Sequence, residues 1–162
     1  MREIKFRGFS CQENRWVYGD LITSPNGEFK YLQTGEIKNL SEYNKYINQK
    51  SLKENDYYFT NKVYEVQVNS IGQLTGLKDK NNKEVYEGDI LTVLEVYNNK
   101  LSNYITNVIW EEGAFIIKTD NEDYYNAFLA SFFDINGTRV PLLEFEIIGN
   151  MYENPALLEY RK

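Results

Sequence analysis

The stretch IGQLTGLKDKNNKEVYEGDIL, residues 71–91, decides the fold of this chain. Asn81-Asn82 suits a two-residue hairpin turn, because asparagine accepts the left-handed backbone region. Glu87-Gly88-Asp89 forms a second tight turn, which starts a strand over 90–97. Short strands separated by turns at this spacing predict a small barrel or sandwich. The residues predicted to shape turns are Gly76, Asn81, Asn82, Gly88, Asp89 and Gly113.

Towards the N-terminus, alternation of polar and apolar residues predicts a β-meander. Its turn signal is Ser24-Pro25-Asn26-Gly27, where proline fixes φ and Asn-Gly tolerates positive φ. The segment 33–62 has a different, more polar composition. Within it, Ser41 as an N-cap predicts a short helix near 41–49. The strands that we expect in this half are 3–7, 16–22, 28–32 and 63–68.

Towards the C-terminus, Glu111-Glu112-Gly113 predicts a three-residue hairpin with Gly113 in the left-handed region. The flanking strands are 104–110 and 114–119, and a last strand is expected at 145–148. The apolar segment 124–133 fits either a helix or a buried strand. Asn154-Pro155 is typical of a helix start, with asparagine as the N-cap and proline at the first helical position.

The composition excludes several chemistries. Among 162 residues there is no histidine, so His-based acid–base catalysis, Ser–His or Cys–His pairs and His-ligated zinc are excluded. Cys11 is the single cysteine, which excludes a disulfide within the chain. With 42% hydrophobic and 26% charged residues, usage is that of an ordinary globular domain. We expect no bound cofactor and no catalytic residue.

Charge is divided unevenly along the chain. Residues 1–70 carry ten Lys/Arg and nine Asp/Glu, whereas residues 71–162 carry eight and fifteen. The acidic half lacks the clustered positive charge that nucleic-acid binding needs, so we do not expect that partner. Neither a membrane-spanning apolar run nor the apolar stretch of a signal peptide is present, which together with the lone cysteine predicts a cytoplasmic protein.

Four segments, in this order, resemble the YopX family of small phage and prophage proteins of Gram-positive bacteria. They are MREIKFRGF at 1–9, IGQLTGLKDKNNKEVYEGDIL at 71–91, VIWEEGAF at 108–115 and IIGNMYENPALL at 147–158. The resemblance implies a mostly β protein with a small SH3-like barrel, and it implies formation of a homo-oligomer. It implies no biochemical activity, because the family has none that can be carried over. Asn82 stands where the family more often has glycine.

The predicted fold class is therefore mainly β. We expect an N-terminal β region over 1–69, with the polar, partly helical segment 33–62 inserted in its meander. An SH3-like barrel with a C-terminal helical turn is expected over 70–162. The two parts are expected to pack as one compact unit containing one or two short helices.

Two groups of residues are candidates for function. Asp79, Glu87 and Asp89 could converge on a divalent cation, because hard cations take clustered carboxylates. The alternative, which the turn pattern favours, is that these aspartates bond backbone amides. The candidates for an interaction surface are Tyr86, Trp110, Lys78 and Glu87, although the position of Trp110 on an alternating strand favours a core or barrel-rim residue.

These observations favour a non-catalytic accessory protein of a phage or prophage that binds a protein partner or assembles with itself. Tyrosine-rich strands would supply the anchors of such an interface, and the acidic half would influence the choice of partner. A second hypothesis is a host-directed inhibitor whose acidic half imitates a nucleic acid. A metal-assisted enzyme is the least favoured hypothesis.

Overall fold

A computed structural model describes residues 3–39, 57–97, 100–118, 125–127, 132–135, 138–141 and 143–160. Antiparallel strands make up almost all of the regular structure there. The strands are β1 (Phe6–Ser10), β2 (Arg15–Thr23), β3 (Lys30–Asn39), β4 (Tyr57–Val66), β5 (Gly72–Lys78), β6 (Glu84–Tyr86), β7 (Asp89–Tyr97), β8 (Lys100–Glu111), β9 (Ala114–Lys118), β10 (Tyr125–Ala127), β11 (Phe132–Ile135), β12 (Thr138–Pro141) and β13 (Leu143–Asn150). Short 3-10 helices span Val68–Ser70 and Pro155–Tyr160.

The first sheet has the strand order β4-β3-β2-β1-β5-β6. Its consecutive strands β1, β2 and β3 form the predicted meander. Strands β3 and β4 pair from Lys30↔Val66 to Asn39↔Tyr57, so both ends of the segment 33–62 are strand rather than helix. Aromatic and β-branched residues are frequent in both strands and favour this outcome. The helix predicted near 41–49 lies outside the described residues.

The β5–β6 hairpin belongs to this first sheet, because Phe6 and Arg7 of β1 pair with Gln73 and Gly72 of β5. Residues 69 and 70, where the sequence predicted a boundary, lie in the 3-10 helix between β4 and β5, and both of these strands belong to the first sheet. Gly76 does not form a turn between strands, which corrects its predicted role. It lies in an irregularity of β5 between Leu74 and Lys78, and its φ of +85° suits glycine.

The second sheet has the order β10-β9-β8-β7-β13 and does not close. The predicted SH3-like barrel is thus not confirmed. The physical reason is that one edge of β5 bonds to β1 of the first sheet, so the β5–β6 hairpin does not complete a ring with the second sheet. Strands β11 and β12 form a separate two-stranded sheet.

Both predicted hairpin loops have a different length from the expected one. The loop between β5 and β6 contains three residues, Lys80–Asn82, because the Asp79 amide bonds the Lys83 carbonyl at 2.9 Å. The β8–β9 loop has only two, since Glu111 pairs with Ala114. Glu112 and Gly113 both have positive φ, 50° and 81°, as a type I′ turn requires.

Two hydrophobic clusters stabilise the sheets. The smaller cluster lies in the first sheet around Val17, Leu32 and Val66. The larger cluster includes Val85 of β6 together with six buried residues of the second sheet, which are Leu91, Val93, Tyr104, Val108, Phe115 and Ile117. Each such side chain contributes roughly 1.5–3 kcal/mol on burial. The β5–β6 hairpin therefore bonds to one sheet through its backbone and enters the core of the other through Val85.

The predicted C-terminal helix is a 3-10 helix that starts at Pro155, directly after Asn154. The side chain of Asn150 accepts the amides of Tyr152 and Glu153 at 3.0 and 2.9 Å, and this holds the turn that leads from β13 to the helix. Among the described residues, the helices are all too short or too polar to cross a membrane.

Candidate interaction surface

Asp79 connects the β5–β6 loop to the edge of the second sheet. Its Oδ1 accepts the amides of Asn81 and Lys83, each at 2.9 Å, and its Oδ2 accepts the Ile147 amide of β13 at 3.2 Å. Burial opposes ionisation of this carboxyl, but the three amides outweigh it and hold the pKa of Asp79 below its ordinary value. This carboxylate is therefore a structural clasp.

Asp89 pairs with Arg7, although the two residues lie in strands of different sheets. Asp89 Oδ1 lies 2.5 Å from Arg7 Nη1, and its Oδ2 accepts the Tyr86 amide at 2.8 Å. Only 1% of the Asp89 side chain is exposed. Burial raises the pKa of Asp89, and the Arg7 charge together with the Tyr86 amide counteracts part of that rise.

The carboxylates of two of the three metal candidates are thus bonded within the fold. Asp79 bonds backbone amides, and Asp89 bonds Arg7 and an amide. Glu87 is half-buried, and its backbone carbonyl accepts Arg7 Nη2 at 3.2 Å. Within the described ranges, no group of three acidic or cysteine side chains is placed to hold a metal ion.

Arg7 is at the centre of a stack of aromatic rings. Its guanidinium carbon lies 5.0 Å from the centre of the Trp16 ring and 5.1 Å from that of Tyr86, which are cation–π distances. The Glu87 carbonyl that accepts Arg7 lies close to the backbone of Gly72. Only glycine permits this approach, because a Cβ at position 72 would lie 2.2 Å from the Glu87 carbonyl oxygen. On the far side of Trp16, Tyr152 packs edge-to-face at 5.9 Å.

Tyr86 was predicted to be an interaction-surface residue, and the structure corrects this. It is 2% exposed, because its ring lies between Arg7 and Tyr18. Its hydroxyl donates to Glu84 Oε2 at 2.8 Å. Burial and this carboxylate strongly raise the pKa of Tyr86. Of the other candidates, Lys78 is exposed at the end of β5 and Glu87 is half-buried.

Trp110, in contrast, lies on a projecting element. Strand β8 pairs with β7 only as far as Asn107, and the described pairs of β9 with β10 reach Ile116. Residues 109–115, which we call the hairpin tip, therefore extend beyond the described parts of the strands that flank β8 and β9. Residues 110–113 of the tip are exposed, and 49% of Trp110 is accessible to solvent.

The Trp110 ring packs against a buried aromatic residue. It packs against Phe115, directly opposite on β9, with 4.7 Å between ring centres and planes at 68°. Phe115 is buried in the larger hydrophobic cluster. An exposed aromatic side chain that is already held in one position loses little entropy on binding, which favours its use as an interface anchor.

Comparison with known proteins assigns the chain. The family model described as YopX protein matches residues 5–159. This chain belongs to the YopX family. The crystal structure of protein EF1440 from Enterococcus faecalis resembles it with a TM-score of 0.51 and 21% sequence identity, over 98% of this chain and 99% of that one. At that identity the likeness shows the fold alone. The curated proteins include no match.

Sequence reasoning on this YopX family member missed Arg7 and Trp16 as a structural centre. Arg7 lies in an alternating N-terminal strand, where a charged residue normally faces solvent. The residues that bury it, Tyr86 and Asp89, are about 80 positions further along the chain. No local pattern indicates such a pairing. Of the two charged residues, the sequence singled out only Asp89, because it directly follows the Glu87-Gly88 turn.

Proposed function

We propose that this YopX family protein is a phage or prophage accessory protein that acts in the bacterial cytoplasm as a non-catalytic binding module. Its contact surface is the hairpin tip, and its partner is a protein. The observation that carries the proposal is the half-exposed Trp110 ring on a hairpin that projects beyond its neighbouring strands.

The energetics of interfaces support this choice of surface. Tryptophan is enriched among the few residues that carry most of the binding energy, and it acts best when its pocket excludes water. Roughly half of the Trp110 surface is still available for burial. The same tip could receive a second copy of the chain, which is the self-assembling form of the proposal.

The nucleic-acid mimic is a weaker candidate. An imitation of phosphates needs free carboxylates in an array, whereas four acids of the acidic half already bond within the fold. Glu84 and Glu146 pair with Lys5 and Lys80, while Asp79 and Asp89 bond as described above. This use of carboxylates favours the protein-binding proposal.

Photo-crosslinking in cells tests the proposal. A photoreactive phenylalanine analogue replaces Trp110 in one variant and Phe29 in a control, because Phe29 is 46% exposed and lies outside the tip. We expect a discrete adduct from position 110 and none from position 29, with the adducted protein identified by mass spectrometry. An adduct with this chain itself establishes the self-assembling form. Equal adducts from both positions, or none from position 110, would contradict the proposal.

A further inference from the structure

We infer that the hairpin tip receives a cationic, extended segment of its partner, with a lysine or arginine side chain placed over the Trp110 ring. This inference rests on the proposed function and names the chemistry of the partner. Glu112, at the turn, is assigned as the ion-pair partner of that cation. Glu111 follows Trp110 on the same strand, so its side chain points to the opposite face. It therefore adds negative potential to the tip without contacting the bound cation directly.

The charges of the tip carry the inference. Glu111 and Glu112 are both exposed. Neither makes an ion pair with any other residue that the structure describes. Residues 108–117 contain no lysine or arginine that could neutralise them. The tip therefore combines an open aromatic face with two carboxylates, and its charge complements a basic segment.

The same combination already occurs within the fold of this chain, and two examples show it. Arg7 lies over Trp16 and Tyr86 and pairs with Asp89. Lys5 lies 5.8 Å from the centre of the Tyr18 ring and pairs with Glu84 at 3.0 Å. In each case a cation bonds a carboxylate and contacts an aromatic ring. The tip supplies the ring and the carboxylates, and the cation is the component that a partner would add.

The shape of the tip suits an extended segment. On the side of β8 that faces β7, strand pairing ends at Asn107. Beyond it, the Gly88 amide bonds the Val108 carbonyl at 2.9 Å, and on this side of β8 the described residues place no further strand beside 109–111, although the 3-10 helix Pro155–Tyr160 lies against β8. The side chains of an extended partner segment that passes over the exposed tip alternate, which brings every second one towards Trp110.

Nuclear magnetic resonance tests the inference on the full chain, because the protein contains two tryptophans. The indole N–H signals of Trp16 and Trp110 are distinguished with the Trp110→Phe variant. The probes are three peptides of equal length in which Thr alternates with Arg, Gln or Glu. We expect the Arg peptide to shift the Trp110 signal in a saturable manner and to leave the Trp16 signal in place.

Charge variants separate a specific site from general attraction. We expect Glu112→Gln to weaken binding of the Arg peptide by about tenfold, equivalent to ~1.4 kcal/mol. The matched control Glu144→Gln removes an exposed carboxylate of β13 and should change the affinity less than about twofold.

The outcomes separate this inference from the proposed function. Equal shifts with the Arg and Gln peptides, or equal losses from Glu112→Gln and Glu144→Gln, would overturn the cationic segment. If position 110 still forms its adduct in cells in that case, the binding module stands and its partner has another chemistry. A folded protein whose Trp110 signal responds to no peptide also overturns the inference.

Discussion

Removing the charge of Asp89 tests whether the Arg7 pair holds the two sheets together. In Asp89→Asn, the amide oxygen can still accept the Tyr86 amide, but the guanidinium of Arg7 loses its counter-charge. Removing one partner of a buried pair costs about 3–5 kcal/mol. The Glu87 carbonyl and the Trp16 and Tyr86 rings remain beside the cation, and they place the expected loss at the low end, about 3 kcal/mol.

The assay is equilibrium unfolding in urea, followed by tryptophan fluorescence. A domain of this size has about 5–15 kcal/mol of stability, so the variant should remain folded and measurable. Glu146→Gln is the matched control, since it breaks the exposed pair with Lys80 and should leave the urea midpoint nearly unchanged. A loss below about 1 kcal/mol for Asp89→Asn, or an equal effect in the control, would refute the reasoning.

A double variant tests whether the unpaired charge of Arg7 is what destabilises Asp89→Asn. Arg7→Met removes the cation, and we combine it with Asp89→Asn so that no buried charge is left without a partner. We expect the double variant to be more stable than Asp89→Asn alone, because an unpaired buried charge costs more than a neutral pair of similar volume. If the two substitutions instead lowered the free energy of unfolding additively, the prediction would be wrong. The Arg7 guanidinium would then be hydrated in Asp89→Asn.

Two further predictions concern acid stability and glycine. Because the pKa of Asp79 lies below its ordinary 3.8, its contribution is complete above that pH and is lost as the pH falls through the lower folded value. Asp79→Asn should therefore flatten the acid limb of the urea midpoint between about pH 5 and 2, and parallel curves for variant and wild type would contradict this. Gly72→Ala should cost about 3 kcal/mol, because the new Cβ would lie 2.2 Å from the Glu87 carbonyl. Gly76→Ala meets no atom within 4 Å and should cost only the strain of its positive φ, about 1–2 kcal/mol; thermal unfolding of both variants compares them, and equal losses would argue against the clash.

Local signals in the sequence predicted the local structure well. The Asn26-Gly27 and Glu112-Gly113 dipeptides lie where the chain turns, and alternating residues predicted most strands of both sheets. Loop lengths were wrong by one residue in two hairpins. The Asp79 carboxylate holds the longer loop by bonding two amides, and this depends on a side-chain geometry that the dipeptide pattern does not contain.

Long-range features were beyond the sequence. Whether the second sheet closes into a barrel depends on which strand pairs with the free edge of β5. That strand is β1, which lies far from β5 in the sequence. For the same reason Tyr86 gave the pattern of a surface residue on a short strand, yet Arg7 and Tyr18 cover it. Trp110 stays a predicted interaction residue, and its exposure follows from the local geometry of the β8–β9 hairpin.

The position of the β5–β6 hairpin also governs how the chain can fold as it is synthesised. β1 emerges among the first residues, but its second neighbour, β5, follows more than sixty residues later. One edge of β1 therefore stays exposed until β5 has left the ribosome, and the first sheet is complete only when residue 86 follows. Any truncation that ends before β5 leaves that edge available to other chains, so such a fragment should aggregate rather than fold.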